Sequence, residues 1–223
     1  MTLYLKLPKN KKIMYSIIIP TMWKCDRFQQ TLRELSSHEL VGEIILIDNT
    51  SNDLKIELPK LIHILEGKNT YVTAPWNKGA KMAKYDNLLI LNDDIWMDWN
   101  ILNILEPHLT EQIGLIGLDE IAYNVQPNKE VGLEPIEHRH GGWGCAIFVH
   151  KQNYTPIPEE MKVWGQDDWL FVKARNRRKQ NYKLVGYRID GELSVTNNIL
   201  DADSEIHAIR ENDLRLKQQY NLF

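Results

Sequence analysis

Leu88-Leu-Ile-Leu-Asn-Asp-Asp-Ile95 decides the fold: an unbroken aliphatic run that ends in two carboxylates. A strand apolar on both faces is buried between two layers, and acids at its carboxyl end emerge at the sheet edge where α/β proteins bind ligands. Acid pairs alone carry no information. The 30 acids in 223 residues give about four adjacent pairs by chance, and the chain has four: Asp93-Asp94, Asp119-Glu120, Glu159-Glu160 and Asp167-Asp168. Context separates them. The first pair ends a buried strand, and the last lies in Val163-Trp-Gly-Gln-Asp-Asp-Trp-Leu170, between a glycine turn and a helical pattern.

Outward from that strand, further apolar β-branched runs predict strands at Tyr15–Ile19, Glu43–Asp48, Leu61–Leu65, Ile113–Leu118 and Cys145–Val149. Between the first two, Phe28, Leu32 and Leu35 share one face of a predicted helix over Asp26–Ser37, with Asp26 as its N-cap. Alternation of this kind predicts an α/β fold with a mostly parallel central sheet flanked by helices. The stretch Asp119–His140, rich in prolines, glycines and polar residues without a period, reads as a long loop over the site. A final helix carries Ile209, Leu216 and Tyr220 at helical spacing.

Composition sets the frame. At 43% hydrophobic residues the chain can bury a full core, and one domain over 1–223 is expected, ending in a C-terminal helix at about 204–220. No apolar run reaches the roughly 20 residues of a membrane helix, and the first dozen residues lack a signal-peptide core, so a cytoplasmic protein is expected, in the host cytoplasm if phage-encoded. Cys25 and Cys145 have neither disulfide-framework numbers nor metal-ligand spacing. The net charge of -3 argues against nonspecific nucleic-acid binding by the whole surface and leaves a local basic patch open.

Ser16-Ile-Ile-Ile-Pro-Thr21, Glu43-Ile-Ile-Leu-Ile-Asp-Asn-Thr-Ser51, Asn77-Lys-Gly79, Leu91-Asn-Asp-Asp-Ile95, Gly141-Gly142 and Trp164-Gly-Gln-Asp-Asp168 resemble, in order and spacing, the motifs of GT-A fold, family 2-like glycosyltransferases. The resemblance covers roughly residues 14–190 and implies a nucleotide-binding half at about 14–95 followed by an acceptor-binding and catalytic half at about 96–200. Its tail is also similar to the galactosyltransferase pattern in which a double glycine and a Trp-Gly segment precede acids. It implies metal-dependent transfer of a sugar from a nucleotide sugar, a UDP-sugar foremost, to a hydroxyl with inversion.

The chemistry gives each motif a task. A nucleotide needs a platform after the first strand and an acceptor for its base or ribose after the second, and Pro20-Thr21 and Asp48 occupy those strand ends. Asn77, Lys78 and Gly79 are expected to open a short helix whose backbone donors, with the lysine, steady phosphates or sugar. A departing diphosphate needs Mn²⁺ or Mg²⁺ on carboxylate oxygen. In the tripeptide matching the family's Asp-x-Asp, Asn92 replaces the first acid, Asp94 takes the metal position, and Asp93 holds sugar hydroxyls or the metal through water. That leaves the ligand count short, with His207, His138 or His140 as candidates for a further ligand.

An acceptor hydroxyl also needs a base. Asp167 is the choice, Gln166 replacing the family's glutamate, with Asp168 left to cap the helix or hold the acceptor. Gly141, Gly142 and Gly144 let backbone approach the sugar or acceptor, or simply turn the chain. Trp143, Trp164 and Trp169 cluster here, and indoles either stack on sugar faces or fill cores; Trp164 is the candidate for stacking on sugar, ahead of Trp169. The basic run Lys173, Arg175, Arg177, Arg178, Lys179 and Lys183 reads either as a solvated helix end or as a seat for a polyanionic acceptor, such as hydroxymethylated phage-type DNA or a lipid-linked phosphate. A cell-surface polysaccharide or lipid-linked glycan is the alternative acceptor, and a non-catalytic nucleotide-sugar or glycan-binding module the alternative class. The oligomeric state is not legible.

Overall fold

The computed structural model describes residues 3–4, 13–51, 56–119, 123–191 and 204–223. Its elements are β1 (Leu3–Tyr4), β2 (Tyr15–Thr21), α1 (Phe28–Ser37), β3 (Val41–Asp48), β4 (Leu61–Leu65), α2 (Thr73–Met82), β5 (Asn87–Leu91), β6 (Ile95–Met97), α3 (Ile101–Leu105), β7 (Ile113–Leu118), β8 (Gly132–Ile136), β9 (Ala146–His150), α4 (Gln166–Asn176), β10 (Gln180–Val185), β11 (Ile189–Gly191) and α5 (Ser204–Gln219). One nine-stranded sheet runs β1-β8-β10-β7-β9-β5-β2-β3-β4, and β6 pairs with β11 in a separate ribbon. Only β8 and β9 run against their neighbours, so seven of the nine strands share a direction. The fold is the mostly parallel α/β sheet that the aliphatic runs predict.

The core explains why those runs are unbroken. In β2 and β5, alternate side chains serve opposite layers: Ile17, Ile19, Leu89 and Leu91 pack with α1, α3 and the ribbon, while Ile18, Leu88 and Ile90 pack with α2, α4 and α5. Both faces are dry, so the middles of these strands are aliphatic, and the buried Ser16 near the start of β2 is accommodated by its hydrogen bond to Glu43. At Gly79 a Cβ would collide with Ile18, which is how closely α2 lies on β2.

Two expectations change. Residues 119–140 are not one loop, because Gly132–Ile136 forms β8 between β1 and β10, with Pro135 opposite Tyr182; residues 120–122 lie outside the described residues. A strand of Gly-Leu-Glu-Pro-Ile has no aliphatic run, and proline argues against a strand in any local reading. Asp26 does not cap α1: Arg27 occupies the cap without a side-chain bond, and Arg27 O accepts from Gln30 N and Thr31 N. Among the described residues, no helix is long and apolar enough to cross a membrane.

Topology fixes where ligands enter. From β2 the chain steps outward to β3 and β4, then crosses back to place β5 on the other side of β2. The carboxyl ends of β2 and β5 therefore flank a topological switch point, the crevice used by open α/β sheets.

Candidate functional site

A hydrogen bond spans that switch point. Thr21 Oγ1, at the end of β2, donates to Asp93 Oδ2 just past β5 at 2.7 Å, and Met22 N reaches the same oxygen at 3.4 Å. Next along the edge, Asp48 at the end of β3 is fully buried. Its Oδ1 accepts from Thr50 N at 3.0 Å and Thr50 Oγ1 at 2.7 Å; its Oδ2 accepts from Trp23 Nε1 at 2.7 Å and meets His63 Nε2 at 3.0 Å. Burial pushes its pKa up, but the bonds from Trp23, Thr50 and His63 outweigh it and hold Asp48 below the ordinary carboxylate range.

The helix-start acids reach the same crevice. Burial, with the charges of Asp94 and Asp167 added, pushes the Cys145 thiol up to about 11. Geometry puts the strand-end acids and Asp167 close together: β9 opens beside the end of β5, with Ala146 opposite Leu91, and a Cβ on Gly144 just before it would run into Asp167. Backbone ties hold the region: Asn92 N donates to Cys145 O at 2.9 Å, and Tyr123 Oη donates to Gly142 O at 2.6 Å, where Gly142 adopts the left-handed φ of 76° that glycine tolerates. Of the glycines here, Gly144 is the one required by close approach, since a Cβ would run into the Asp167 carboxylate; at Gly141 it would meet nothing.

Asp167 and Asp168 occupy the first turn of α4, after Gly165 at φ 103°. Arg139 bridges them: its Nη1 lies 3.1 Å from Asp167 Oδ2, its Nε bonds Asp168 Oδ1, and its Nη2 donates to Asp168 Oδ2 at 2.8 Å. Lys217 of α5 adds a second cation at 2.7 Å from Asp168 Oδ2. The outcomes are opposite. Burial raises Asp167 above the usual range despite Arg139, whereas Asp168, also opposed by burial, is held below it by Arg139 and Lys217. Asp213 of α5, with no exposure, accepts from Lys162 N at 3.0 Å, Val163 N at 2.8 Å and Trp164 N at 2.9 Å, and so fixes the segment that leads into α4. Gln166 is buried and bonds Thr73 Oγ1 at 2.9 Å, tying the starts of α2 and α4 together.

Arg139, Lys217 and Asp213 escape sequence reasoning. Asp213 alone left a signal: a carboxylate on the helix stripe formed by Ile206, Ile209 and Leu216.

Other predicted residues are placed elsewhere. Asn77, Lys78 and Gly79 sit inside α2 rather than at its start, so their backbone donors belong to the helix. Asn77 spends its amide on Tyr154 and Ile157, and Lys78 pairs with Glu66 at 2.5 Å. Trp143 is fully buried and Trp169 nearly so, their indoles donating to Tyr182 O and Pro156 O; Trp164 is half-buried. His207 is exposed beside Glu211 on its own helix, at 3.8 Å. Arg177 and Arg178 lie past the far end of α4, about 15 Å along the helix from Asp167. There β10 begins opposite the amino end of β7, so the pair stands at the edge away from the crevice. Elsewhere in the basic run, Lys183 pairs with Asp119 at 3.2 Å and Glu134 at 3.6 Å, and Lys173 lies over the Trp169 ring.

Among the described residues, no group of three or more His, Cys, Asp or Glu is assembled for a metal ion. The β5 end offers two carboxylates. That donor set fits Mg²⁺ or Mn²⁺ arriving with a diphosphate and completing its shell with phosphate oxygens and water, and does not fit an all-protein cage.

No protein-family model and no curated protein matches the chain. Solved structures do match in fold. Residues 1–349 of S. aureus TarS align with a TM-score of 0.60 and 15% identity over 90% of this chain and 69% of that one. The same TarS fragment in complex with UDP aligns at 0.59 and 16% identity over 95% and 72%. GalNAc-T7 with UDP, GalNAc and Mn²⁺ aligns at 0.59 and 11% identity over 82% of this chain and 44% of that one. The chain has the GT-A type of fold found in these glycosyltransferases. It spans less than half of the GalNAc-T7 chain.

Proposed function

We propose that the protein is a glycosyltransferase that moves a sugar from a nucleotide sugar, with UDP as the nucleotide, to an acceptor hydroxyl. The observation that carries this reading is the convergence at the switch point of a GT-A sheet of Thr21 bonded to Asp93, Asp94 next to it, and Asp167 against Gly144 at the start of β9. The UDP complexes of TarS and GalNAc-T7 support the choice of nucleotide.

Each residue then has a role. The β2 and β3 ends, Pro20, Thr21 and Asp48, seat the nucleoside. A Mn²⁺ or Mg²⁺ ion, held by Asp94 with Asp93 beside it, would supply neutralisation of the charge that grows on the departing diphosphate. Asp167 takes the proton of the acceptor hydroxyl as its oxygen bonds the sugar carbon on the face opposite the leaving group, so the configuration inverts. The two acids are suited to different work, since environments that push neighbouring carboxyls apart separate a proton acceptor from a permanent anion. Asp168, fixed by Arg139 and Lys217, is the permanent anion and a positioning residue. The acceptor we infer is a glycan hydroxyl rather than DNA, because Arg177 and Arg178 lie at the opposite edge and line no part of the crevice.

UDP release from UDP-sugars, measured with Mn²⁺ and without acceptor, tests the assignment. The unaltered protein is expected to hydrolyse at least one UDP-sugar slowly, and Asp94→Ala to abolish that release while leaving the circular-dichroism spectrum unchanged. Undiminished release by Asp94→Ala or in excess EDTA would contradict it.

A further inference from the structure

Asp48 stands where a nucleobase acceptor is needed, yet it has no capacity left. A carboxylate offers about four lone-pair sites, and Thr50 N, Thr50 Oγ1, Trp23 Nε1 and His63 Nε2 take one each. A base can bond this carboxylate only after one of the four withdraws.

The four are not equally free to leave. The Thr50 bonds close a local turn two residues on, formed in part by backbone. His63 sits in the middle of β4, whose ladder to β3 fixes it. Trp23 lies in the connection between β2 and α1, half-buried, with a left-handed φ of 56° that a bulky side chain adopts at a cost. Its ring touches Phe28 at 5.2 Å and meets the His63 ring edge-on at 6.3 Å.

We infer that Trp23 is the gate of the base pocket: its indole N–H occupies the place on Asp48 that the N3–H of uracil takes when the donor binds, and the ring moves aside to admit it. This rests on the UDP reading of the site. The backbone makes the gate more than a plug. Trp23 N donates to Thr21 Oγ1 at 2.9 Å, and that hydroxyl donates to Asp93 Oδ2. A turn relaxed by departure of the indole loosens the Thr21 hold on Asp93, so filling the base pocket and freeing the diphosphate-side carboxylate are one event.

The large groove elsewhere, about 870 Å³ between α1 and the β6–β11 ribbon, carries no comparable argument. Its polar groups are spent on one another: Glu34 on the Trp99 indole, Arg188 on Asp190, Arg27 over the Trp96 ring.

The test is calorimetric titration of UDP and of N3-methyl-UDP into the unaltered protein and Trp23→Phe, which keeps an aromatic ring and removes the N–H. The expected result is UDP binding about tenfold tighter in Trp23→Phe, the worth of one hydrogen bond to a charged group, with no such gain for N3-methyl-UDP. In the unaltered protein, the Trp23 indole ¹⁵N–¹H resonance, assigned through its contact with the Phe28 ring, shifts at saturating UDP; that readout does not depend on the variant folding. Equal or weaker UDP binding by a folded Trp23→Phe, a gain that survives N3-methylation, or an unmoved indole resonance overturns the gate while the nucleotide reading stands. No binding of UDP by either protein overturns both.

Discussion

The two acid pairs of the crevice are held by opposite means. Asp93–Asp94 follows a strand buried on both faces, and its place is set by the sheet: β5 lies between β2 and β9, and the acids come one residue past the strand end, after Asn92. Asp167–Asp168 has no such scaffold. Its place is set by side chains distant in sequence, Arg139 from the stretch after β8 and Lys217 and Asp213 from the last helix. One pair is positioned by packing, which the sequence displays as hydrophobic pattern; the other by charge and hydrogen bonds between segments about 30 to 50 residues apart, which it does not display.

The largest effect is expected at Asp213. If α5 holds the segment before α4, Asp213→Ala leaves three backbone N–H groups unpaired in a buried place, with an expected loss of about 3 kcal/mol in urea unfolding. UDP binding at the β2–β5 edge is expected to survive wherever the variant is folded. A loss under about 0.5 kcal/mol would place the control of that segment elsewhere.

Arg139→Met sharpens the comparison through pH. The folded pKa of Asp168 is depressed, so its contribution to stability is present above the unfolded value and lost as pH falls through the folded one. Without Arg139 that depression shrinks, and the acid-unfolding midpoint should move to higher pH. Asp167, already raised, rises further, so the acidic limb of the transfer rate should move up in the same direction. A limb and a midpoint that both stay put would show that the guanidinium does not set the two acids apart.

The smallest effect is expected at Arg177 and Arg178. Replacing both with glutamine should leave acceptor KM and its salt dependence within about twofold, since exposed charges at the far sheet edge contribute little. A marked rise in KM would return the polyanionic acceptor to consideration.

What was legible follows from the same contrast. The strands at residues 15, 43, 88, 113 and 145 announce themselves because burial on both faces keeps their middles aliphatic, and the edge strand at 61, only half-buried, shows through its β-branched run. β8 and β10 do not, since Gly132-Leu-Glu-Pro-Ile136 and Gln180-Asn-Tyr-Lys-Leu-Val185 are half-polar strands whose partners are remote. Asp48 was legible as a strand-end acid, but its saturation by Trp23, Thr50 and His63 was not, because His63 reaches it only through the β3–β4 ladder. Arg139 gave no local sign: one arginine among histidines and glycines matters only once two acids are folded beside it.

In the proposed mechanism Asp167 is the base and Asp168 its fixed neighbour. Transfer and UDP affinity measured side by side for Asp167→Asn and Asp168→Asn test it most directly. Asp167→Asn is expected to lower the transfer rate by a factor on the order of 10² to 10⁴ with the UDP dissociation constant unchanged, and Asp168→Asn to lower stability and reduce transfer less. A dead Asp168→Asn beside an active Asp167→Asn, or full transfer by both, would contradict it.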